Sequence, residues 1–180
     1  MTPKKNILAI SGSTRRNSIN ESILKFIKEK YSAEVNVELF TGIDSLPHFN
    51  PDLDNEQAPA SVKAFRQLVR KADGVIICTP EYVFSLPGSL KNALEWMVST
   101  IIFAKKPTAL IVASGMGEKA FESLQLIMRT LEANFTGDTA LLISGARSRF
   151  DAAGMPKDEP TAQELDRAVS SLLKVIEKIK

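Results

Sequence analysis

The sequence contains a single cysteine, Cys78, and a single histidine, His48. One cysteine excludes an internal disulfide framework and a cysteine-only metal site, and one histidine excludes a metal site built on a histidine cluster. Scarce cysteine is also typical of a reducing compartment. Because Cys78 ends an apolar run, we expect a small buried side chain there. We expect His48, which lies in a loop, to have a surface or packing role.

The sequence also lacks an excess of charge of one sign and any long apolar run. Its 23 lysines and arginines nearly balance its 21 aspartates and glutamates, whereas binding to nucleic acid or to an anionic membrane usually requires clustered positive charge. No apolar run approaches the roughly 20 residues that cross a bilayer, and the first residues do not form a secretory signal. We therefore expect a cytoplasmic protein that binds neither nucleic acid nor membrane, with residues 1–180 forming one domain.

Apolar runs and helical patterns alternate five times along the chain. Short apolar runs predict strands at 7–10, 35–40, 74–78, 108–113 and 139–143, and helical periodicity predicts helices within 19–31, 62–72, 87–97, 121–135 and 165–176. Residues 42–59 and 145–160 are predicted loops. This alternation predicts an α/β fold with a doubly wound, five-stranded parallel sheet in three α/β/α layers. In the flavodoxin-like strand order 2-1-3-4-5, a ligand binds beyond the carboxyl ends of strands 1 and 3.

The turn after the first strand has the composition of an anion-binding site. Residues 7–20 read ILAISGSTRRNSIN, so an apolar strand gives way to a glycine, several hydroxyls and two arginines just before a helix. Glycine permits tight turns, and the N–H groups and partial positive charge of a helix N-terminus attract phosphate. Ser18 and Glu21 form an S-x-x-E capping box, so an ordinary capped turn remains the alternative.

Two other phosphate-binding classes lack their key residues in this turn. A low-molecular-weight tyrosine phosphatase needs a thiolate in the loop after its first strand, and residues 11–20 contain no cysteine. The G-x-x-x-x-G-K-[ST] sequence of nucleotide hydrolases is absent from the loop as well. Both classes are therefore excluded.

The loop after the third predicted strand supplies aromatic side chains. It reads TPEYVFSLPG over residues 79–88, with Tyr82 and Phe84 close to prolines. Such a loop suits a planar heteroaromatic ring that accepts hydrogen bonds from backbone N–H groups, and a lid or core role for the two aromatics remains open. Ser85 is the predicted N-cap of the next helix, and Pro87 lies near its start.

Three segments together resemble the NADPH-dependent FMN reductase family, which includes chromate, quinone and azo-dye reductases of flavodoxin-like fold. They are GSTRRNSIN at 12–20, which matches G-S-x-R-x-x-S-x-N, LPHFNPDLD at 46–54, and PEYVFSLPGSLKNALEW at 80–96. The resemblance covers most of the chain as far as Asn134. The two loop motifs at this separation are more specific together than either is alone.

Position by position, the resemblance implies an FMN site on three loops. The implied contacts are Ser13, Arg15, Ser18, Ile19 and Asn20 around the phosphate, Pro80, Glu81, Tyr82 and Val83 along the isoalloxazine ring, and Ser114, Gly115 and Gly117 after the fourth strand. The sequence departs from the family at Val83, where asparagine is common, at Phe84, which is often tyrosine, and at Glu95, which is usually aspartate. Backbone contacts to FMN survive these changes, whereas the acceptor preference is left open.

The resemblance implies an NAD(P)H-dependent oxidoreductase. Reduced nicotinamide, NADPH or NADH, would pass hydride to N5 of FMN and leave, and a small acceptor such as a quinone, an azo compound, chromate or free flavin would then occupy the same space, which is a ping-pong order. No side chain has to act as nucleophile or general base, so we name no catalytic residue. A flavodoxin-like electron carrier and a flavin-binding sensor without turnover remain the alternatives.

The resemblance also implies a homodimer or homotetramer with sites near subunit interfaces. The apolar segment at Ile101, Ile102 and Phe103 is the candidate contact, and its entry into the core of the same chain is the alternative.

Overall fold

The computed structural model describes residues 3–178. Within that range the chain forms a five-stranded sheet whose neighbouring strands are all parallel, in the order β2-β1-β3-β4-β5. The strands are β1 (Lys5–Ser11), β2 (Val35–Phe40), β3 (Gly74–Thr79), β4 (Thr108–Ser114) and β5 (Ala140–Ser144). The predicted fold class and strand order are confirmed.

Helices cover both faces of the sheet. They are α1 (Ile19–Lys30), α2 (Ala60–Lys71), α3 (Gly88–Glu95), α4 (Glu118–Thr130), α5 (Ala146–Arg149) and α6 (Glu159–Lys178), with short 3-10 turns at Ile43–Ser45, Pro51–Leu53 and Gly137–Thr139. None of the helices within residues 3–178 is both long enough and apolar enough to cross a membrane.

The alternation of side chains along β1 shows how the two layers of the core arise. Ile7 and Ala9 belong to the cluster under α1 and α6, whereas Leu8 and Ile10 belong to the cluster under α2, α3 and α4. A strand covered on both faces needs apolar residues at successive positions. The central strands therefore contain continuous apolar runs at 7–10, 75–78 and 109–113, and each strand ends at the carboxyl edge of the sheet in a hydroxyl residue: Ser11, Thr79 and Ser114.

Two predicted helix boundaries are wrong. The fourth helix ends at Thr130 rather than near Phe135, because Glu132 adopts a left-handed conformation with φ of 58° and the Ala133 N–H returns to the Met128 carbonyl at 2.9 Å. The predicted loop 145–160 contains the short helix α5 and the first two residues of α6. Side-chain periodicity alone signals neither event.

The predicted N-cap of the third helix is also wrong. Pro87, not Ser85, is the residue that precedes α3, and no side chain caps this helix end. Ser85 instead closes a tight turn, because it exchanges two backbone hydrogen bonds with Tyr82 at 3.0 and 3.1 Å.

The segment LPHFNPDLD docks against the carboxyl half of α3 and against Trp96, which follows this helix. The Trp96 indole donates to the Pro47 carbonyl at 2.8 Å, and the Phe49 N–H donates to Oδ1 of Asn92 at 2.7 Å. The Phe49 and Trp96 rings meet edge to face with centroids 5.1 Å apart. His48, which lies between Pro47 and Phe49 in the sequence, is exposed, in accord with the surface role expected for it.

The apolar segment after α3 divides between core and surface. Ile102 and Phe103 are buried within the same chain, so the interpretation of these two residues as an oligomer contact is wrong. Ile101 is 87% exposed and remains available on the surface.

Candidate functional site

A cavity of about 620 Å³ opens at the carboxyl edge of the sheet, where β1, β3, β4 and β5 end. Its walls are Ser13, Arg15, Asn17, Ser18, Ile19, Asn20, Pro80, Glu81, Tyr82, Ala113, Ser114, Gly115, Gly145, Ala146, Arg147 and Ser148. This volume lies within the range of ordinary small-molecule sites. The topology therefore brings together the loops after β1, β3 and β4, which the sequence analysis proposed as the FMN site.

The polar groups of the loop after β1 form hydrogen bonds with one another. Ser11 Oγ accepts from the Ser13 N–H at 3.3 Å, and Ser13 Oγ accepts from the Arg15 N–H at 3.3 Å. Gly12 donates its N–H to the Cys78 carbonyl at 2.8 Å, and a Cβ on Gly12 would lie only 2.3 Å from Oγ1 of Thr79. Only glycine fits this contact between the β1 and β3 loops.

Ser18 caps α1, but the expected capping box with Glu21 does not form. Ser18 Oγ accepts from the Asn20 N–H at 3.3 Å rather than from the Glu21 N–H. The Glu21 carboxylate pairs with Lys25 at 2.6 Å. Ser18 also lines the cavity, so the N-terminus of α1 opens onto it.

Asn20 lies beneath the cavity and connects two strands. Its Nδ2 donates to the Ala113 carbonyl at 3.2 Å, and its Oδ1 accepts from the Cys78 thiol at 3.3 Å. Burial raises the pKa of the Cys78 thiol well above its usual range, so the thiol stays protonated and remains a donor. Cys78 is buried, as expected from the sequence, and it also makes a polar contact that the sequence did not predict.

The loop after β3 forms a strained turn at the mouth of the cavity. Tyr82 and Ser85 pair across it, and the two central residues, Val83 and Phe84, have φ of 51° and 55°. Positive φ at both central positions defines a type I′ turn, which favours asparagine and glycine and disfavours a β-branched residue. The side chains of Val83 and Phe84 are 96% and 68% exposed, so the turn presents an apolar tip to solvent.

Ten of the twelve predicted contact residues line the cavity. They are Ser13, Arg15, Ser18, Ile19, Asn20, Pro80, Glu81, Tyr82, Ser114 and Gly115. Val83 lies at the exposed tip of its turn, outside the lining. Gly117 is the N-cap residue of α4 with φ of 116°, and a Cβ there would lie 2.8 Å from Cδ1 of Leu142. Its conformation and packing both require glycine, so its visible role is to turn the chain into α4.

Sequence reasoning missed the loop after β5. Gly145, Ala146, Arg147 and Ser148 line the cavity, and so do Asn17 and Ala113. A signal was present, because SGARS at 144–148 repeats the serine, glycine and arginine composition of the first loop directly after a strand. The predicted strand order already put the end of β5 at the same edge of the sheet.

Contacts with α1 and with the β4 loop hold the β5 loop in place. The Gly145 N–H donates to the Gly115 carbonyl at 3.0 Å, and Ser22 Oγ donates to the Ala152 carbonyl at 3.1 Å. Gly154, with φ of 81°, packs so closely that a Cβ would lie 2.2 Å from the carbonyl carbon of Ser22. The β5 loop and the start of α1 are therefore one packed unit on the same face of the sheet.

The two ends of the cavity differ in chemistry. On the α1 face lie the hydroxyls of Ser13, Ser18 and Ser148 together with Arg15 and Arg147. Neither arginine pairs with a carboxylate among residues 3–178, so both guanidinium groups are available to an anion. Toward α3 lie Pro80 and the aromatic ring of Tyr82. A ligand with a phosphate at one end and a planar ring at the other matches this division, and FMN has that form.

Comparison with known proteins identifies the family. Residues 5–147 match the family model described as NADPH-dependent FMN reductase. The chain belongs to this family. It is therefore an oxidoreductase, and family membership identifies FMN and reduced nicotinamide, NAD(P)H, as its cofactors.

Individual relatives agree with the family assignment. The chain is 33% identical over 167 residues to the NADH:(hydroxy)cinnamate reductase subunit CrdA of Vibrio ruber, covering 89% of this chain and 82% of that one. It is 32% identical over 179 residues to an NADPH:quinone oxidoreductase of Arabidopsis thaliana, covering 94% and 91%. Among solved structures, the flavoenzyme NAD(P)H:(acceptor) oxidoreductase FerB from Paracoccus denitrificans matches with a TM-score of 0.77 and 28% identity over 97% and 98% of the two chains.

Proposed function

We propose that this member of the NADPH-dependent FMN reductase family passes reducing equivalents from NADPH or NADH through bound FMN to a small acceptor, such as a quinone, an azo compound, chromate or free flavin, in a ping-pong order. The observation that carries the proposal is the single cavity in which the loop with phosphate-binding character and the aromatic turn meet. One open face of the flavin ring has room for one reactant at a time, which favours alternate binding of the nicotinamide donor and the acceptor.

The residues of the cavity would bind and orient the cofactor rather than react. Ser13, Ser18 and Arg15 would hold the phosphate with hydroxyl donors, a charged fork and the N-terminus of α1. Pro80, Glu81 and Tyr82 would line the ring on one side, and Ser114 and Gly115 on the other. When bound, FMN supplies hydride acceptance and electron return. The protein would exclude water from one face of the ring and leave the face beside the exposed tip of Val83 and Phe84 open.

The acceptor class is supported from two directions. The Arabidopsis relative is named for quinone reduction and the Vibrio relative for reduction of cinnamates, so conjugated organic acceptors recur among similar proteins. The tip of the β3 turn is apolar, since Val83 and Phe84 expose their side chains there. The donor is not fixed by these names, which mention NADH in one case and NADPH in the other.

Steady-state turnover separates the reductase from an electron carrier or a flavin-binding sensor. Purified protein loaded with FMN is mixed with NADPH and a soluble quinone, and the loss of nicotinamide absorbance is followed, with NADH run in parallel. The reductase sustains many turnovers per protein, and omission of FMN from the apoprotein abolishes them. Oxidation that stops after one equivalent of nicotinamide would contradict the proposal and favour the carrier or sensor.

We also propose that the protein is a homodimer or homotetramer. An apolar groove of about 230 Å³ lies between α3 and α4, lined in part by Phe49, Leu94 and Ile127. Val98 on its rim and Leu126 on α4 are 58% and 66% exposed, and such exposed apolar side chains favour burial against a second copy. Sedimentation velocity of the wild type and of Val98→Glu tests this proposal. A monomeric wild type, or a variant with unchanged mass, would contradict it.

The domain organisation and the cellular location are also proposals. Residues 1–180 are proposed to act as a single FMN-binding domain, and the single buried cysteine fits a cytoplasmic location.

A further inference from the structure

The turn formed by residues 82–85 needs support from outside itself. Two successive residues with positive φ, one of them the β-branched Val83, make the turn intrinsically unfavourable, and both central side chains are mostly exposed. Such backbone conformations persist where the surrounding structure over-determines them. On the carboxyl side of the turn, Leu86 and Pro87 are buried and anchor the chain to α3.

Glu81 anchors the other side of the turn through two hydrogen bonds to a different loop. Its backbone N–H donates to Oγ of Ser114 at 3.1 Å, and its carboxylate Oε2 accepts from the Ala120 N–H at 2.9 Å. Ala120 lies in the first turn of α4, whose N-terminal N–H groups have no partners within the helix.

The carboxylate replaces a cap that α4 itself lacks. The N-cap residue of α4 is Gly117, which has no side chain to accept a hydrogen bond. An acceptor with negative charge at a helix N-terminus is favoured both by the hydrogen bond and by the helix dipole. Glu81 thus caps α4 from the β3 loop, so the helix end and the turn share one anchor.

We propose that Glu81 is a positioning residue that joins the β3 turn to the N-terminus of α4, so that two walls of the cavity form one preorganised unit for the flavin ring. The cavity lining includes Glu81, Tyr82 and Ser114, which this arrangement connects. The structural part of the proposal concerns the apoprotein, and only its consequence for the flavin rests on the proposed function. Preorganised walls reduce the ordering that ligand binding would otherwise require.

The test compares Glu81→Ala with Glu81→Gln and a matched control, Glu118→Gln. Glutamine retains an oxygen that accepts from Ala120, whereas alanine removes the acceptor. Glu118 lies in the same first turn of α4, is exposed and is not part of the cavity wall, so its variant removes the same charge without the anchor. Hydrogen exchange of the apoprotein and FMN titration by flavin fluorescence are measured for each.

In Glu81→Ala we expect faster exchange at Ala120 and also at Tyr82 and Ser85, whose N–H groups close the turn. FMN binding weakens by about tenfold, the size of effect expected for loss of a cap together with loss of preorganisation. Glu81→Gln restores exchange protection and binds FMN within about threefold of wild type, and Glu118→Gln matches the wild type.

Three results would overturn the proposal. Faster exchange confined to the start of α4, with the turn unaffected, would reduce Glu81 to a local helix cap. Equal FMN affinity in Glu81→Ala and wild type would remove its role in preorganisation, and a Glu81→Gln variant as impaired as Glu81→Ala would show that the hydrogen bond is not the anchor. Failure of the wild type to bind FMN would instead contradict the proposed function, while the exchange data would still test the anchor.

Discussion

The Cys78 thiol donates to Oδ1 of Asn20 across 3.3 Å, at the point where β3 ends beneath the cavity. Asn20 in turn donates through Nδ2 to the carbonyl of Ala113 on β4. All three residues are almost completely buried. The start of α1 is therefore fixed to the ends of two strands by one amide side chain, and the loop between β1 and α1 is held at a defined height above the sheet.

Removal of this amide should destabilise the fold. In Asn20→Ala the buried Ala113 carbonyl and the Cys78 thiol lose their partner, and we expect a loss of about 1–3 kcal/mol in the free energy of unfolding, measured with urea. Asn36→Ala is the control, since the Asn36 amide donates to Oδ1 of Asn6 in an exposed position. It should cost less than about 0.5 kcal/mol. Equal losses in the two variants would contradict this interpretation of Asn20.

The β3 turn should be stabilised by residues suited to its backbone. The double variant Val83→Asn, Phe84→Gly places a preferred pair at the two positive-φ positions, and we expect the free energy of unfolding to rise by about 1–2 kcal/mol. Val83→Ala removes the branched side chain without supplying a residue that favours positive φ, so its gain should be smaller. An unchanged double variant would show that the turn is not strained.

Stability should fall at high pH in part through Tyr31. Burial, with a further contribution from the carboxylate of Asp166, raises the pKa of Tyr31 to about 12. Because the unfolded chain ionises this phenol near its ordinary pKa of about 10, Tyr31 stabilises the fold fully below that pH and progressively less as the pH rises toward 12. Urea unfolding between pH 9 and 12 should show a steeper decline for wild type than for Tyr31→Phe. Parallel profiles would contradict the assignment.

Arg147 should contribute to binding of the phosphate group. Its guanidinium lines the cavity without a carboxylate partner among the described residues, so Arg147→Ala should weaken FMN binding by about tenfold or more, as expected for a charge-assisted hydrogen bond. Riboflavin, which lacks the phosphate, should bind the variant and the wild type alike. Arg167→Ala, on the exposed side of α6, is the control and should bind FMN normally. Equal weakening for FMN and riboflavin would contradict a phosphate contact.

The topology was predictable because its determinants are local or follow from general rules. The apolar run at 7–10 and the periodic residues 19–31 identify a strand and a helix from a few residues each. Once five such pairs alternate, the handedness of parallel crossovers leaves few arrangements. The loops that end β1, β3 and β4 then meet at one edge, so most of the cavity wall followed from the sequence.

The features that were missed depend on backbone conformation or on contacts between distant segments. Ser85 has a hydroxyl suited to an N-cap. Its backbone N–H and carbonyl instead form hydrogen bonds with Tyr82 that close a tight turn. Glu132, just after α4, adopts a positive φ that cannot be predicted from its residue type. Glu81 caps a helix that begins 37 residues later in the chain, a relationship visible only after β3 and β4 are paired.

The most direct test of the account is an anaerobic titration of the FMN-loaded protein with NADPH, followed by its visible absorbance. We predict that the flavin spectrum bleaches with one equivalent of NADPH and returns when a quinone is added without oxygen, which are the two halves of the proposed reaction. Bound flavin that keeps its absorbance in excess NADPH and excess NADH would contradict the reductase. A protein that retains no FMN at all would contradict the assignment of the cavity itself.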